Sequence, residues 1–242
     1  MNPRRCGSGA LHRHRRLGLR LATACRSTAL AALGVLAACT SAPPALDWQI
    51  NARQAIDAAV IAYLEGNARV EAAETARARS EIGRTGRLDL LARAELMRCA
   101  ARVASLTFED CEGFEKLRTD AAPAERAYAD YLAGRLQPGD VALLPEPQRR
   151  VAQARAGAGA ADAALRSVED PLSRLIAAGV VFQASLASPE TLPIAVDTAS
   201  AQGWRRPLLA WLTVQLKRAE QAGDTTEAER LRRRIDVVQG KT

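Results

Sequence analysis

From Asp47 to Gly240 the chain follows an almost unbroken helical periodicity, and much of its apolar side is alanine. Alanine, leucine, arginine and glutamate dominate this stretch, and β-branched runs are few, a composition that favours helix over strand. Aromatic residues make up only 4% of the chain. A thick globular core of such small side chains would leave voids, whereas thin layers of close-packed helix pairs accommodate alanine well. The expected fold is all-α, with antiparallel helical hairpins forming an α-solenoid or an irregular helical bundle.

The spacing predicts helices over 47–65, 68–82, 86–105, 108–119, 123–135, 147–155, 159–168, 171–185, 189–202, 204–222 and 225–239. Leu136-Gln137-Pro138-Gly139-Asp140 and Pro145-Glu146-Pro147 break the pattern, with a short apolar Val141-Ala142-Leu143-Leu144 between them. Residues 136–147 are therefore read as a linker between two helical halves, 47–135 and 148–242, of one continuous array. Near the end, Trp204, Leu208, Trp211, Leu212 and Leu216 recur at helical spacing and make one apolar face. Gly223-Asp224 then marks a turn, with Glu227-Ala228, Leu231, Ile235 and Val238 on the next helix. This Gly-Asp-x-x-Glu-Ala-x-x-Leu pattern resembles the turn and second helix of a tetratricopeptide repeat. Tyr63-Leu64-Glu65-Gly66-Asn67 before Glu71-Ala72-Ala73 is similar, with its spacing offset by one residue. Degenerate repeats and plain helical hairpins both account for the pattern, since no 34-residue period runs through the chain.

The amino-terminal segment is of another kind. Arginines 4, 5, 13, 15, 16, 20 and 26 precede an apolar run from Ser27 to Ala38, and no acidic residue occurs before Asp47. A basic region followed by a short apolar one is the pattern of a secretory signal. The run is about a dozen residues, too short to remain as a membrane span, which needs ~20. Leu36-Ala37-Ala38-Cys39 resembles the lipobox of bacterial lipoproteins. The resemblance implies that residues 1–38 are cleaved as a signal peptide and that Cys39 becomes the acylated amino terminus. The family's sorting rule, applied to Thr40, implies the outer membrane, because aspartate at that position favours inner-membrane retention. Residues 39–46 would form a tether reaching at most ~25 Å when extended.

Seven of the 34 basic residues precede Cys39, and none of the 27 acidic ones do, so the chain from Cys39 onward carries 27 of each. The overall charge of +7 thus belongs to the leader and gives no argument for nucleic-acid binding. Both histidines, His12 and His14, lie in the leader as well. Their loss excludes histidine-based triads, histidine general bases and imidazole zinc sites in the mature chain. Lysine is limited to Lys116, Lys217 and Lys241. No cofactor and no metal site is expected.

Cys6 and Cys25 leave with the leader, and Cys39 is lipidated, which leaves Cys99 and Cys111. An even pair in an oxidising compartment is read first as a disulfide, with two free buried thiols as the other reading. Thr107, with Asp110 three residues later, looks like the cap of the helix at 108–119, so the turn would fall near Ser105-Leu106 and the two cysteines would face each other across an antiparallel hairpin. Glu109, Asp110, Glu112 and Glu115 read as first-turn acids that complement a helix dipole, not as a cation site. Ala156-Gly157-Ala158-Gly159 lacks the rest of a dinucleotide fingerprint and reads as a joint. Arg230, Arg232, Arg233 and Arg234 form a solvated face through i,i+4 pairs of Glu229 with Arg233 and Arg232 with Asp236.

Two functions fit these features. The first is an outer-membrane-anchored, periplasm-facing helical scaffold or adaptor that binds another envelope protein and has no catalysis of its own. The alternative is a cell-wall hydrolase with a glutamate general acid, which needs no histidine. Ser80-Glu81 is the nearest approach to a catalytic Glu-Ser pair, in reverse order and within a charged helix.

Overall fold

The computed structural model describes residues 46–154 and 158–241, so the lipobox-like segment 36–39, with Cys39, and also Thr40 and Ala156-Gly157 lie outside the described residues. Those described form eleven α-helices and one 3-10 helix, with no strand among them. The first hairpin joins α1 (Asp47–Glu65) to α2 (Ala68–Gly83). It turns at Gly66, whose φ of 85° is the left-handed conformation glycine adopts freely, and Asn67 Oδ1 then accepts from the Val70 N–H at 3.2 Å to start α2. Next comes α3 (Leu88–Ala104), followed by a single turn α4 (Glu112–Glu115) and by α5 (Pro123–Leu132), which begins with proline at its first position. The proline-rich break at 136–147 holds the 3-10 helix Pro138–Leu143. Beyond it run α6 (Glu146–Gln153), α7 (Ala158–Ser167), α8 (Pro171–Gln183) and α9 (Thr191–Ala201). The chain ends in the antiparallel pair α10 (Arg205–Gln221) and α11 (Thr225–Gln239), where Asp224 caps α11 by accepting from the Glu227 N–H at 3.0 Å.

Packing follows the small side chains. On α3, Ala92, Leu96, Ala100 and Ala104 are buried, and on α8 so are Leu175, Ala177 and Ala178. These two helices approach so closely that a Cβ added at Gly179 would collide with the Val103 carbonyl. Each also ends in the same cap. Thr107 N–H donates to the Arg102 carbonyl and Leu106 N–H to that of Val103, while Leu186 N–H and Ser185 N–H do the same to Val181 and Phe182. This is the Schellman arrangement, with Leu106 (φ 57°) and Ser185 (φ 59°) in the left-handed position usually given to glycine.

That cap overturns one expectation. The helix predicted over 108–119 is only Glu112–Glu115, because Thr107 completes the cap of α3 and does not start a new helix. Cys111, not Thr107, stands at the start of α4, and no side chain caps that turn.

Of the two arrangements expected, the contacts are those of an irregular bundle. In a solenoid each unit touches only its neighbours. Here α1 packs on α3 as well as α2, α3 on α8, α8 on α9, α9 on α10, and α10 back on α1. Trp211 of α10 fastens part of this circuit, being fully buried with its indole N–H donating to the Ala104 carbonyl of α3 at 3.1 Å.

Candidate functional site

The charged face of α3 carries Glu95, Arg98 and Arg102 at helical spacing, beside Cys99, and all four look into a cleft of about 840 Å³. The opposite wall is the segment from Thr107 to Lys116, and α5 and Gln183 at the end of α8 close the cleft. The disulfide Cys99–Cys111 joins the two walls, with Cα atoms 5.9 Å apart. It does so without the helical hairpin the sequence suggested, by tying the non-helical segment 107–111 to the flank of α3. Gly113 then lies directly against the Glu95 carboxylate, whose Cδ would be 2.8 Å from an added Cβ.

Glu95 is the buried charge of the site, only 4% exposed. Arg79 of α2 donates to its Oε1 at 2.6 Å and Arg98 to its Oε2 at 2.7 Å. Burial alone would raise its pKa, but the two guanidiniums outweigh burial and hold the carboxyl below its ordinary value. Arg102 bridges to Glu71 of α2 at 3.4 Å and to Glu109 at 3.7 Å, and lies over the Tyr63 ring at 5.0 Å from its centroid. Arg206 of α10 covers the same ring at 4.3 Å and donates through Nε to the Tyr63 carbonyl at 2.8 Å, at the negative end of α1. At the other end of the cleft, Glu115 accepts from Arg118 and Arg135, and Asp130 accepts from the same two arginines. A line of rings leads inward from the rim, where Phe108 stacks on Phe182, which meets Trp211 edge-on.

The residues singled out from sequence are placed unevenly. Cys99 and Cys111 come together. Of the acids at 109–115, Glu109 and Glu115 face arginines, and among the described residues no group of three or more metal-ligating side chains gathers. Trp204 and Trp211 are buried. Glu81 pairs with Arg84 on an exposed turn of helix. Arg232 reaches Glu220 of α10 and Arg230 pairs with Glu227, whereas neither expected pair, Glu229 with Arg233 or Arg232 with Asp236, forms among the described residues. The cleft residues Arg79, Glu95, Arg98, Arg102, Phe108 and Gln183 did not stand out in the sequence. The one available signal was a glutamate set on the apolar stripe of α3, between Ala92 and Leu96, with Arg98 three residues on.

No protein family, curated protein or solved structure matches this chain. What the site can do is therefore read from its chemistry alone. Among the described residues no helix is long and apolar enough to cross a membrane.

Proposed function

We propose that the chain is an outer-membrane-anchored, periplasm-facing helical adaptor that binds another envelope protein. The observation carrying this reading is the state of Glu95, the buried carboxylate of the cleft. A glutamate acting as general acid in glycoside hydrolysis needs a raised pKa, so that it holds a proton near neutral pH. Glu95 is set the other way, ionised between two arginines. Such a triad suits a rigid, charge-patterned recognition surface. The lipobox supports the location: Cys39 supplies the acyl attachment, Thr40 the outer-membrane sorting, and the short tether keeps the domain near the bilayer.

The test pairs in-cell crosslinking, followed by mass spectrometry, with a peptidoglycan digestion assay on the same protein. A reproducible envelope-protein crosslink and no glycan turnover is the expected outcome. Turnover that disappears when one glutamate of the cleft becomes glutamine would replace the adaptor reading with the hydrolase.

A further inference from the structure

The cleft beside the disulfide differs from a pocket for an apolar small molecule. Such pockets are lined mostly by hydrophobic side chains with a few polar groups, whereas half of the residues lining this one are charged. Most of those charges are spent on one another. Arg102 is engaged by Glu71 and Glu109, and Arg135 by Glu115 and Asp130.

What remains unspent defines a pattern. Asp110 and Glu112 make no ion pair among the described residues, and neither does Lys116, although all three line the cleft. Two guanidiniums on the single Glu95 carboxylate leave one positive charge in surplus. Phe108, 38% exposed, offers a ring at the rim. The cleft thus presents free charge of both signs and an apolar platform. A purely acidic ligand would meet Asp110 and Glu112, and a purely basic one would meet Lys116 and the arginines of Glu95.

We propose that this cleft docks an extended, mixed-charge segment of a partner protein. The segment's cation pairs with Asp110 and Glu112, its carboxylate with Lys116 and the surplus charge at Arg98, and an apolar side chain lies on Phe108. The inference rests on the adaptor reading and names the kind of segment an adaptor of this shape takes.

The test uses the full chain and labelled short peptides of alternating lysine and aspartate around a leucine, beside all-aspartate, all-lysine and uncharged sets. In fluorescence anisotropy the mixed set binds, binding weakens with added salt, and Lys116→Glu or Glu112→Lys each weakens it about fivefold. Both positions are on the cleft wall, and circular dichroism of each variant confirms the fold. Equal binding of all sets, no binding of the mixed set, or indifference to both reversals overturns the proposal. So does equal, reversal-sensitive binding to phosphatidylethanolamine vesicles, which would make the cleft a headgroup site. In cells, a photo-crosslinker at Lys116 is compared with one at exposed Val237. Capture of a partner at Val237 alone rejects the cleft and keeps the adaptor, and capture at neither rejects both.

Discussion

Gly113 has no room for a side chain, because the Glu95 carboxylate occupies the space a Cβ would take. Gly113→Ala should push that carboxylate off Arg79 and Arg98 and cost about 1–3 kcal/mol, the range for overpacking a filled site. Gly83→Ala is the control: nothing lies within 4 Å of its added Cβ, so in urea unfolding it should be neutral or slightly stabilising. Glu95 itself makes stability depend on pH. Its folded pKa lies below the ordinary 4.5, so between those two values the unfolded chain binds more protons than the native one. The stabilisation is complete above about pH 4.5 and is lost as pH falls through the depressed folded value. Urea midpoints measured across the acid range should therefore fall more steeply for the native chain than for Glu95→Gln, and parallel curves would show that the triad contributes nothing. Little of this was legible in the sequence. The Glu95–Arg98 spacing is visible along one helix, but Arg79 is sixteen residues away in sequence and reaches Glu95 only through the packing of α2 on α3.

At the scale of elements, periodicity located most helices well, and α1 has the bounds expected of it, 47–65. The ends that agree carry chemistry readable in a few residues: glycine in the left-handed turn at Gly66, the aspartate cap of α11, the proline starts of α5 and α8. The helix predicted at 108–119 failed for a physical reason of the same kind. A Schellman cap built on Leu106 bears no glycine to announce it, and Thr107 has the same composition as an N-cap while serving the end of the preceding helix. The disulfide then holds segment 107–111 away from helix. Its loop spans 12 residues, for which chain entropy gives ~3 kcal/mol at most. Replacing both cysteines by serine should lower Tm by several degrees, at most about 6–12 °C in a domain of this size. Amide exchange should accelerate between 105 and 116 and leave α1 and α10 as they were. An unchanged melting temperature, or acceleration spread evenly over the bundle, would mean the bridge does not brace this wall.

At the scale of the molecule, two properties can be tested. One is the attachment proposed for Cys39. If Cys39 carries two or three acyl chains, each buried methylene contributes ~0.8 kcal/mol, which is enough for stable anchoring. Cys39→Ala should then abolish lipid labelling and leave unprocessed precursor, and detergent-phase partitioning unaffected by the change would count against lipidation. The other is closure. The circuit α1–α3–α8–α9–α10–α1 holds each of its five helices at more than one interface, with α1 fastened by Arg206 at Tyr63 and α10 by Trp211 at Ala104. A linear array loses units from its ends in stages, because its stability is a sum of local and nearest-neighbour terms. This bundle should unfold in a single transition. Its three tryptophans make the test direct: Trp48 reports on α1, while Trp204 and Trp211 report on α10 and its contact with α3. With Trp48→Phe and the Trp204→Phe/Trp211→Phe pair examined separately, the fluorescence transition of each variant in urea should coincide with that variant's own circular-dichroism curve, because the substitutions differ in stability cost. Fluorescence that leads or trails the loss of helix in either variant would show that the first hairpin and the last part company before the rest, as they would in a solenoid.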